Sequence, residues 1–67
     1  MIRLTREELD ARTFQLGEDA YIRGYNTQMD DIVFMNILKS LNEAERPHAL
    51  HMWSDGWLQG FITHHHI

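Results

Sequence analysis

The chain has 67 residues, no cysteine and a formal net charge of −4 at pH 7. A chain of this length forms one domain with a small core, and without cysteine it has neither a disulfide nor a thiolate metal site. Its six Lys and Arg residues are scattered and outnumbered by ten Asp and Glu residues. Binding to naked nucleic acid, which needs clustered cations, is therefore not expected.

The first predicted element is a helix over about residues 6–26. Thr5 and Glu8 have the spacing of a capping box, and further acidic residues follow in the first turn, where the helix dipole favours them. Gly17, Ala20 and Gly24 recur at three- and four-residue spacing, which places small residues along one side of the helix. This stripe predicts a groove that receives a bulky partner helix.

A second helix is predicted over about residues 30–41. It follows a connection in which Thr27 and Asp30 resemble a second helix cap. Its apolar residues cover more than one face, which indicates deep burial or a partner. A strand from Ile32 to Asn36 is the alternative, although four consecutive apolar residues lack the alternation of a half-buried strand.

A third helix is predicted over about residues 47–62, with Pro47 in its first turn, where a missing N–H costs nothing. Its two tryptophans and two glycines follow four-residue spacing, so the tryptophans share one face and the glycines an adjacent one. The tryptophan ridge is predicted to fill the groove of the first helix, giving a small all-α domain of three helices. The predicted helix-packing residues are Gly17, Ala20, Gly24, Trp53, Gly56, Trp57 and Gly60.

The sequence contains few residues that could carry out catalysis or bind a cofactor or metal. There is no Gly-rich phosphate loop and no arguable Ser-His-Asp set, and a bundle of this size offers little room for a substrate pocket. We therefore expect no enzyme and no cofactor. His48 and His51, with Glu43 and Glu45 upstream, are the weak candidates for a zinc site, but their spacing matches no strong motif and no metal is predicted.

The segment Trp53-Ser-Asp-Gly56-Trp57, together with Gly24-Tyr25 and a link containing Pro47, resembles the ribosome modulation factors, which are very short bacterial helical proteins. The resemblance implies an all-helical fold and ribosome binding during dormancy, without catalysis. Members of that family are strongly basic, whereas this chain is acidic, and its link holds the additional apolar helix. Short acidic helical proteins of phages and mobile elements fit the charge better.

Three functional hypotheses follow. The first is a non-catalytic regulatory protein that docks onto a larger macromolecule, with ribosome-associated translation control as the named case. The second is a phage-type inhibitor that occludes a host or defence protein, and the third is a small metal or pH sensor based on the five histidines. No secretory or membrane-spanning segment is recognised, so a cytoplasmic location is expected.

The expected partner is a protein or a ribonucleoprotein, because interface centres lose charge and gain aromatic residues. A homodimer or larger assembly is also predicted, since the second helix has more apolar surface than a lone domain of this length can cover. The candidate partner contacts are Arg23, Tyr25, Phe34, Met35 and Leu38.

Overall fold

A computed structural model describes residues 5–64 of the chain. It contains three α-helices, α1 (Arg6–Arg23), α2 (Ile32–Ser40) and α3 (Arg46–His64), and a short 3₁₀ turn, Gln28–Asp30, before α2. No strand occurs within residues 5–64, so the all-α prediction is confirmed and the alternative strand in the second element is not formed.

Helix α1 begins at the predicted cap and ends earlier than predicted. The backbone N–H of Glu8 donates to the Thr5 hydroxyl oxygen over 3.2 Å. At the other end, Gly24 has φ of 84°, a left-handed conformation that glycine adopts without strain, and this stops the helix after Arg23 rather than near residue 26. The N–H of Tyr25 then donates to the Ala20 carbonyl over 2.8 Å, closing the last turn.

Helix α2 starts at Ile32 rather than near residue 30, and its cap is Asp31 rather than the predicted pair of Thr27 and Asp30. A carboxylate oxygen of Asp31 accepts the backbone N–H of Phe34 over 3.1 Å. Thr27 and Asp30 bond to each other over 3.3 Å within the 3₁₀ turn, and the Thr27 side chain caps no backbone group. The sequence offered two adjacent aspartates, and the buried one takes the cap.

The contacts between α1 and α3 show that these helices run parallel. Asp10 pairs with His48 near their N-terminal ends, and Tyr21 packs against Phe61 near their C-terminal ends. Between these pairs, the backbone of Phe14 lies against Gly56. Because the two helices point in the same direction, the chain must travel from the C-terminal end of α1 back to the N-terminal end of α3. Residues 24–45 make this connection, and we call them the return segment.

The return segment runs antiparallel to α3. The Trp57 indole N–H donates to the Tyr25 carbonyl over 2.7 Å, at the start of the segment. Further along, Gln28 donates to the Ser54 hydroxyl over 2.9 Å. The segment ends where Arg46, the first residue of α3, bonds to the last carbonyls of α2. Successive residues of the return segment therefore contact successively earlier residues of α3.

Glycines bring the backbones of α1 and α3 into direct contact. A Cβ added at Gly17 would overlap the carbonyl of Trp53, and one added at Gly56 would overlap the carbonyl of Phe14. At Gly60 an added Cβ would lie 3.0 Å from the Tyr21 Cβ. The predicted pairing of the two helices is correct, but the glycines admit the opposing backbone rather than the tryptophan rings.

Gly24 takes no part in this contact, so its prediction as a helix-packing residue is wrong. A Cβ at Gly24 would have nothing within 4 Å, and the residue is exposed. Its role is the left-handed turn that ends α1. The four-residue spacing pointed to a continuous stripe, but the helix ends before Gly24 can extend it.

The core is small and centres on Phe34, which is fully buried, and Trp53, which is 2% exposed. Their rings lie 5.9 Å apart between centroids. Ala20 and Ala49 complete the buried apolar set, and half-buried side chains from all three helices pack around it. The core therefore lies where the return segment packs against the α1–α3 pair.

Candidate interaction surfaces

An aromatic cluster joins the C-terminal ends of α1 and α3. The ring of Tyr21 meets Trp57 edge-to-face at 5.3 Å between centroids and meets Phe61 edge-to-face at 5.8 Å. Trp57 and Phe61 stack at 6.1 Å with 15° between their planes. Such pairs add about 0.5–1.5 kcal/mol each beyond area burial. The cluster fixes the two helix ends relative to each other.

Beside this cluster, α3 exposes apolar side chains at helical spacing. Leu58, Phe61 and Ile62 are 52%, 39% and 59% exposed. Ile22, which follows Tyr21 on α1, is 60% exposed, and Arg23 after it is exposed as well. We call Ile22, Leu58, Phe61 and Ile62 the terminal patch. Clusters of exposed apolar residues with a polar rim mark binding surfaces more often than scattered single residues do.

A second exposed apolar group lies on the return segment. Met29 in the 3₁₀ turn is 79% exposed, and Ile32 and Val33 in the first turn of α2 are 74% and 48% exposed. We call these three residues the return patch. Phe34, which follows Val33 in α2, is by contrast buried in the core.

The predicted partner contacts on the second helix need correction. Phe34 is fully buried and is therefore not a contact for a partner of the folded chain. Met35 and Leu38 are half-buried and pack against the core. The helix directs these three residues inward because Asp31 sets its start and rotates Ile32 and Val33 outward. Sequence periodicity found the apolar excess but assigned it to the wrong face.

The other two predicted contacts lie near the terminal patch. Arg23 is exposed in the last turn of α1. Tyr25 is half-buried, packs against the core, and its carbonyl accepts the Trp57 indole N–H. Arg23 therefore suits a position at the rim of an interface, whereas Tyr25 holds the start of the return segment onto α3.

Asp31 is the residue at the centre of the fold that the sequence reasoning missed. It is 5% exposed, and while one oxygen caps α2, the other accepts the Trp53 indole N–H over 3.0 Å. Hydrogen bonds to a charged acceptor are stronger than neutral ones. The available signal was an aspartate three residues before Phe34, but the neighbouring Asp30 precedes another apolar residue, Val33, at the same spacing.

His48 and His51, the two candidate metal ligands, each pair with a different carboxylate. His48 Nε2 lies 3.1 Å from an Asp10 carboxylate oxygen, whereas His51 pairs with Asp55 on its own helix over 3.4 Å. Among residues 5–64, no three His, Asp or Glu side chains are grouped to hold a metal ion. Of the histidine run at residues 64–66, only His64 is among the described residues.

Two surface clefts are small compared with a substrate pocket. One, of about 130 Å³, lies between the first turns of α1 and α3 beside Asp10 and His48. The other, of about 210 Å³, lies beside Met35 and Arg46. Pockets for small molecules usually measure about 300–1,000 Å³. Neither cleft has the volume of such a pocket.

Charge is distributed unevenly over the helices. From Pro47 to His64 the only Asp, Glu, Lys or Arg residue is Asp55. The return segment holds four acids and a single cation, Lys39. The α3 side of the terminal patch is thus almost uncharged. The return segment, which contains the return patch, is instead rich in charged residues, most of them acidic.

Comparisons of the chain with protein-family models, with curated proteins and with solved structures give no match. Within the described residues, none of the helices combines the length and apolar character that crossing a bilayer requires.

Proposed function

We propose that this chain is a non-catalytic regulatory protein that docks onto a protein surface of a larger assembly through the terminal patch. The observation that carries the proposal is the exposure of Leu58, Phe61 and Ile62 beside a packed aromatic cluster. A rigid aromatic support lets exposed side chains bind with little loss of conformational entropy. Apolar and aromatic anchors of this kind supply most of the binding energy in protein interfaces.

The partner surface is expected to be apolar at its centre and not a phosphate backbone. The α3 side of the patch presents no cation, and Arg23 is the nearest positive side chain in the last turn of α1. The net charge of −4 disfavours contact with RNA. If the ribosome is the target, as the resemblance implies, the docking site is therefore a ribosomal protein.

Inhibition of a foreign protein by occlusion is the second candidate function. The apolar and nearly uncharged terminal patch of a net acidic chain favours it as well, since an inhibitor of this size acts by covering the partner's working surface. Self-association is also part of the proposal, and the outer face of α2 is the surface that a second copy would cover. The different partners of His48 and His51 do not favour a metal sensor built on these two residues.

Cosedimentation with ribosomes at physiological salt tests the first candidate. Wild-type protein should pellet with ribosomes, and the double variant Leu58→Ser/Ile62→Ser should remain in the supernatant because the apolar anchors are removed. Ile32→Ser/Val33→Ser is the matched control, since it removes two exposed apolar side chains from the return patch instead. It should pellet like wild type.

Retention of Leu58→Ser/Ile62→Ser on ribosomes would refute the terminal patch as the docking site. If the wild-type protein fails to pellet, the ribosome is not the assembly. The inhibitor function is then tested by quantitative affinity capture from host lysate, in which the true target is lost with Leu58→Ser/Ile62→Ser and kept with the control. Purified target must also lose activity when the wild-type protein is added.

A further inference from the structure

Helix α2 divides its residues between an inner and an outer face. Phe34 is buried, and Met35 and Leu38 are half-buried against the core. The outer face is exposed along the whole helix. Its residues are Ile32, Val33, Asn36, Lys39 and Ser40. Two of these five are large and apolar, and they lie in the first turn.

Opposite charges lie just before α2 and at its end. Asp30 is exposed just before the helix and accepts the Thr27 hydroxyl hydrogen over 3.3 Å. Lys39 is exposed in the last turn and makes no ion pair with any residue from 5 to 64. In chain order, a negative residue thus precedes α2, apolar residues follow in the first turn of its outer face, and a positive residue lies in its last turn.

We propose that the outer face of α2 pairs with the same face of a second copy, with the two helices antiparallel about a two-fold axis. This arrangement places Asp30 of each copy opposite Lys39 of the other, so a symmetric dimer gains the charge pair twice. A parallel arrangement would instead place like charges opposite each other. The charge pattern thus favours a second copy in one orientation.

The same register brings the apolar residues to the axis. When the two-fold axis passes midway between Val33 and Asn36, a rise of about 1.5 Å per residue places the Val33 residues of the two copies about 4.5 Å apart along the helix direction, and the Ile32 residues about 7.5 Å apart. Asn36 lies as close to the axis as Val33, so the two amides can hydrogen-bond across it. A buried asparagine pair of this kind fixes the register of paired helices.

The dimer is expected to be weak. Helix α2 has nine residues, so the contact is smaller than the interfaces of stable complexes, and weak association is typical of that size. The inference rests on the self-association proposed above and not on docking to a foreign partner. Loss of the dimer would therefore leave the terminal patch available for its partner.

Sedimentation equilibrium from micromolar to millimolar concentration tests the proposal. The wild-type mass should rise from 8.0 kDa towards twice that value. Asp30→Lys and Lys39→Asp should each raise the dissociation constant about tenfold or more, because each places like charges opposite each other twice. The double variant Asp30→Lys/Lys39→Asp should restore the wild-type constant to within about threefold, since the pairs are re-formed with reversed sign.

Glu7→Lys and Arg12→Asp are matched controls, because they make the same charge changes at exposed positions of α1. Both should dimerise like wild type, and circular dichroism should show that all variants remain helical. The proposal is overturned if the wild-type chain stays at 8.0 kDa throughout, if either single variant dimerises unchanged, or if the double variant fails to recover. A dimer that persists in Ile32→Ser/Val33→Ser would place the contact on another face.

Discussion

At the scale of single residues, Asp30 and Asp31 show how neighbouring aspartates take different roles. Asp31 is 5% exposed and serves two donors, the Phe34 backbone N–H and the Trp53 indole N–H. Asp30 is exposed and bonds only to Thr27 among the hydrogen bonds described. One buried carboxylate therefore starts α2 and joins it to α3.

Asp31→Ala is expected to lower the free energy of unfolding by about 2–4 kcal/mol, because it removes a helix cap and leaves a buried indole N–H unpaired. Asp30→Ala should change it by less than about 0.5 kcal/mol, as is usual for exposed sites. Urea denaturation followed by tryptophan fluorescence measures both. Equal midpoints for the two variants would show that Asp31 does not hold α2 to α3.

Gly24 and Gly56 also have different structural roles, one in a turn and one in a helix contact. Gly56 lies against the Phe14 carbonyl, so the Cβ in Gly56→Ala must push two helix backbones apart, at a cost of about 1–3 kcal/mol or more. Gly24→Ala meets no atom, but its φ of 84° costs about 1–2 kcal/mol for a residue with a side chain. Gly24→Asn should recover part of that loss because asparagine tolerates this conformation.

Chemical denaturation should therefore rank the unfolding midpoints as wild type, Gly24→Asn, Gly24→Ala and Gly56→Ala, from most to least stable. An unchanged midpoint for Gly56→Ala would contradict the close backbone contact between α1 and α3. A midpoint for Gly24→Asn below that of Gly24→Ala would contradict the left-handed turn as the reason for that glycine.

At the scale of elements, α2 is attached at two points. Its start is held by Asp31, and its end by Arg46, whose Nε–H donates to the carbonyls of Leu38 and Leu41 over 3.2 and 3.1 Å. Between these points, Phe34 provides the buried anchor. A short helix with few buried contacts opens more readily than the long helices to which it is attached.

We expect the amides of α2 to exchange hydrogen faster than those in the middle of α1 and α3. Arg46→Ala should accelerate exchange in the last turn of α2 and leave residues near Gly17 unchanged, because only the carbonyl cap is removed. Hydrogen exchange followed by NMR measures this residue by residue. Equal acceleration in all three helices would show that α2 unfolds only with the whole chain.

At the scale of the whole molecule, the parallel pairing of α1 and α3 brings their C-terminal ends together. Two long helices that ran antiparallel would separate Tyr21 from Trp57 and Phe61. The parallel arrangement places the three rings in one cluster and the exposed residues of both helices beside it. The return segment is long enough to run back along α3, so α1 and α3 can be parallel. The terminal patch depends on this parallel arrangement, because its residues come from the C-terminal ends of both helices.

Net charge is also a property of the whole molecule, and it predicts the response to nucleic acid. With six cations scattered against ten acids, we expect no electrophoretic shift of ribosomal RNA at about 150 mM salt and neutral pH. Within residues 5–64 the Lys and Arg side chains are divided among all three helices. Submicromolar binding in that assay would overturn the charge argument and favour direct contact with RNA.

The sequence by itself determined the helical class, the start of α1 and the pairing of the first and third helices. These follow from local signals, such as the Thr5–Glu8 cap, and from the small residues spaced along both helices, although the glycines admit the opposing backbone and not the tryptophan rings. Local signals are readable because they act within one or two turns of helix.

Only the tertiary structure decided the roles of Gly24, Asp31 and Phe34. The end of α1 at Gly24 depends on a backbone conformation that spacing does not encode. Which aspartate caps α2 depends on the Trp53 indole, which is distant in sequence, and that choice sets the rotation of the helix. The rotation buries Phe34 and exposes Ile32 and Val33, so the surface offered to a partner is fixed by packing rather than by the apolar pattern alone.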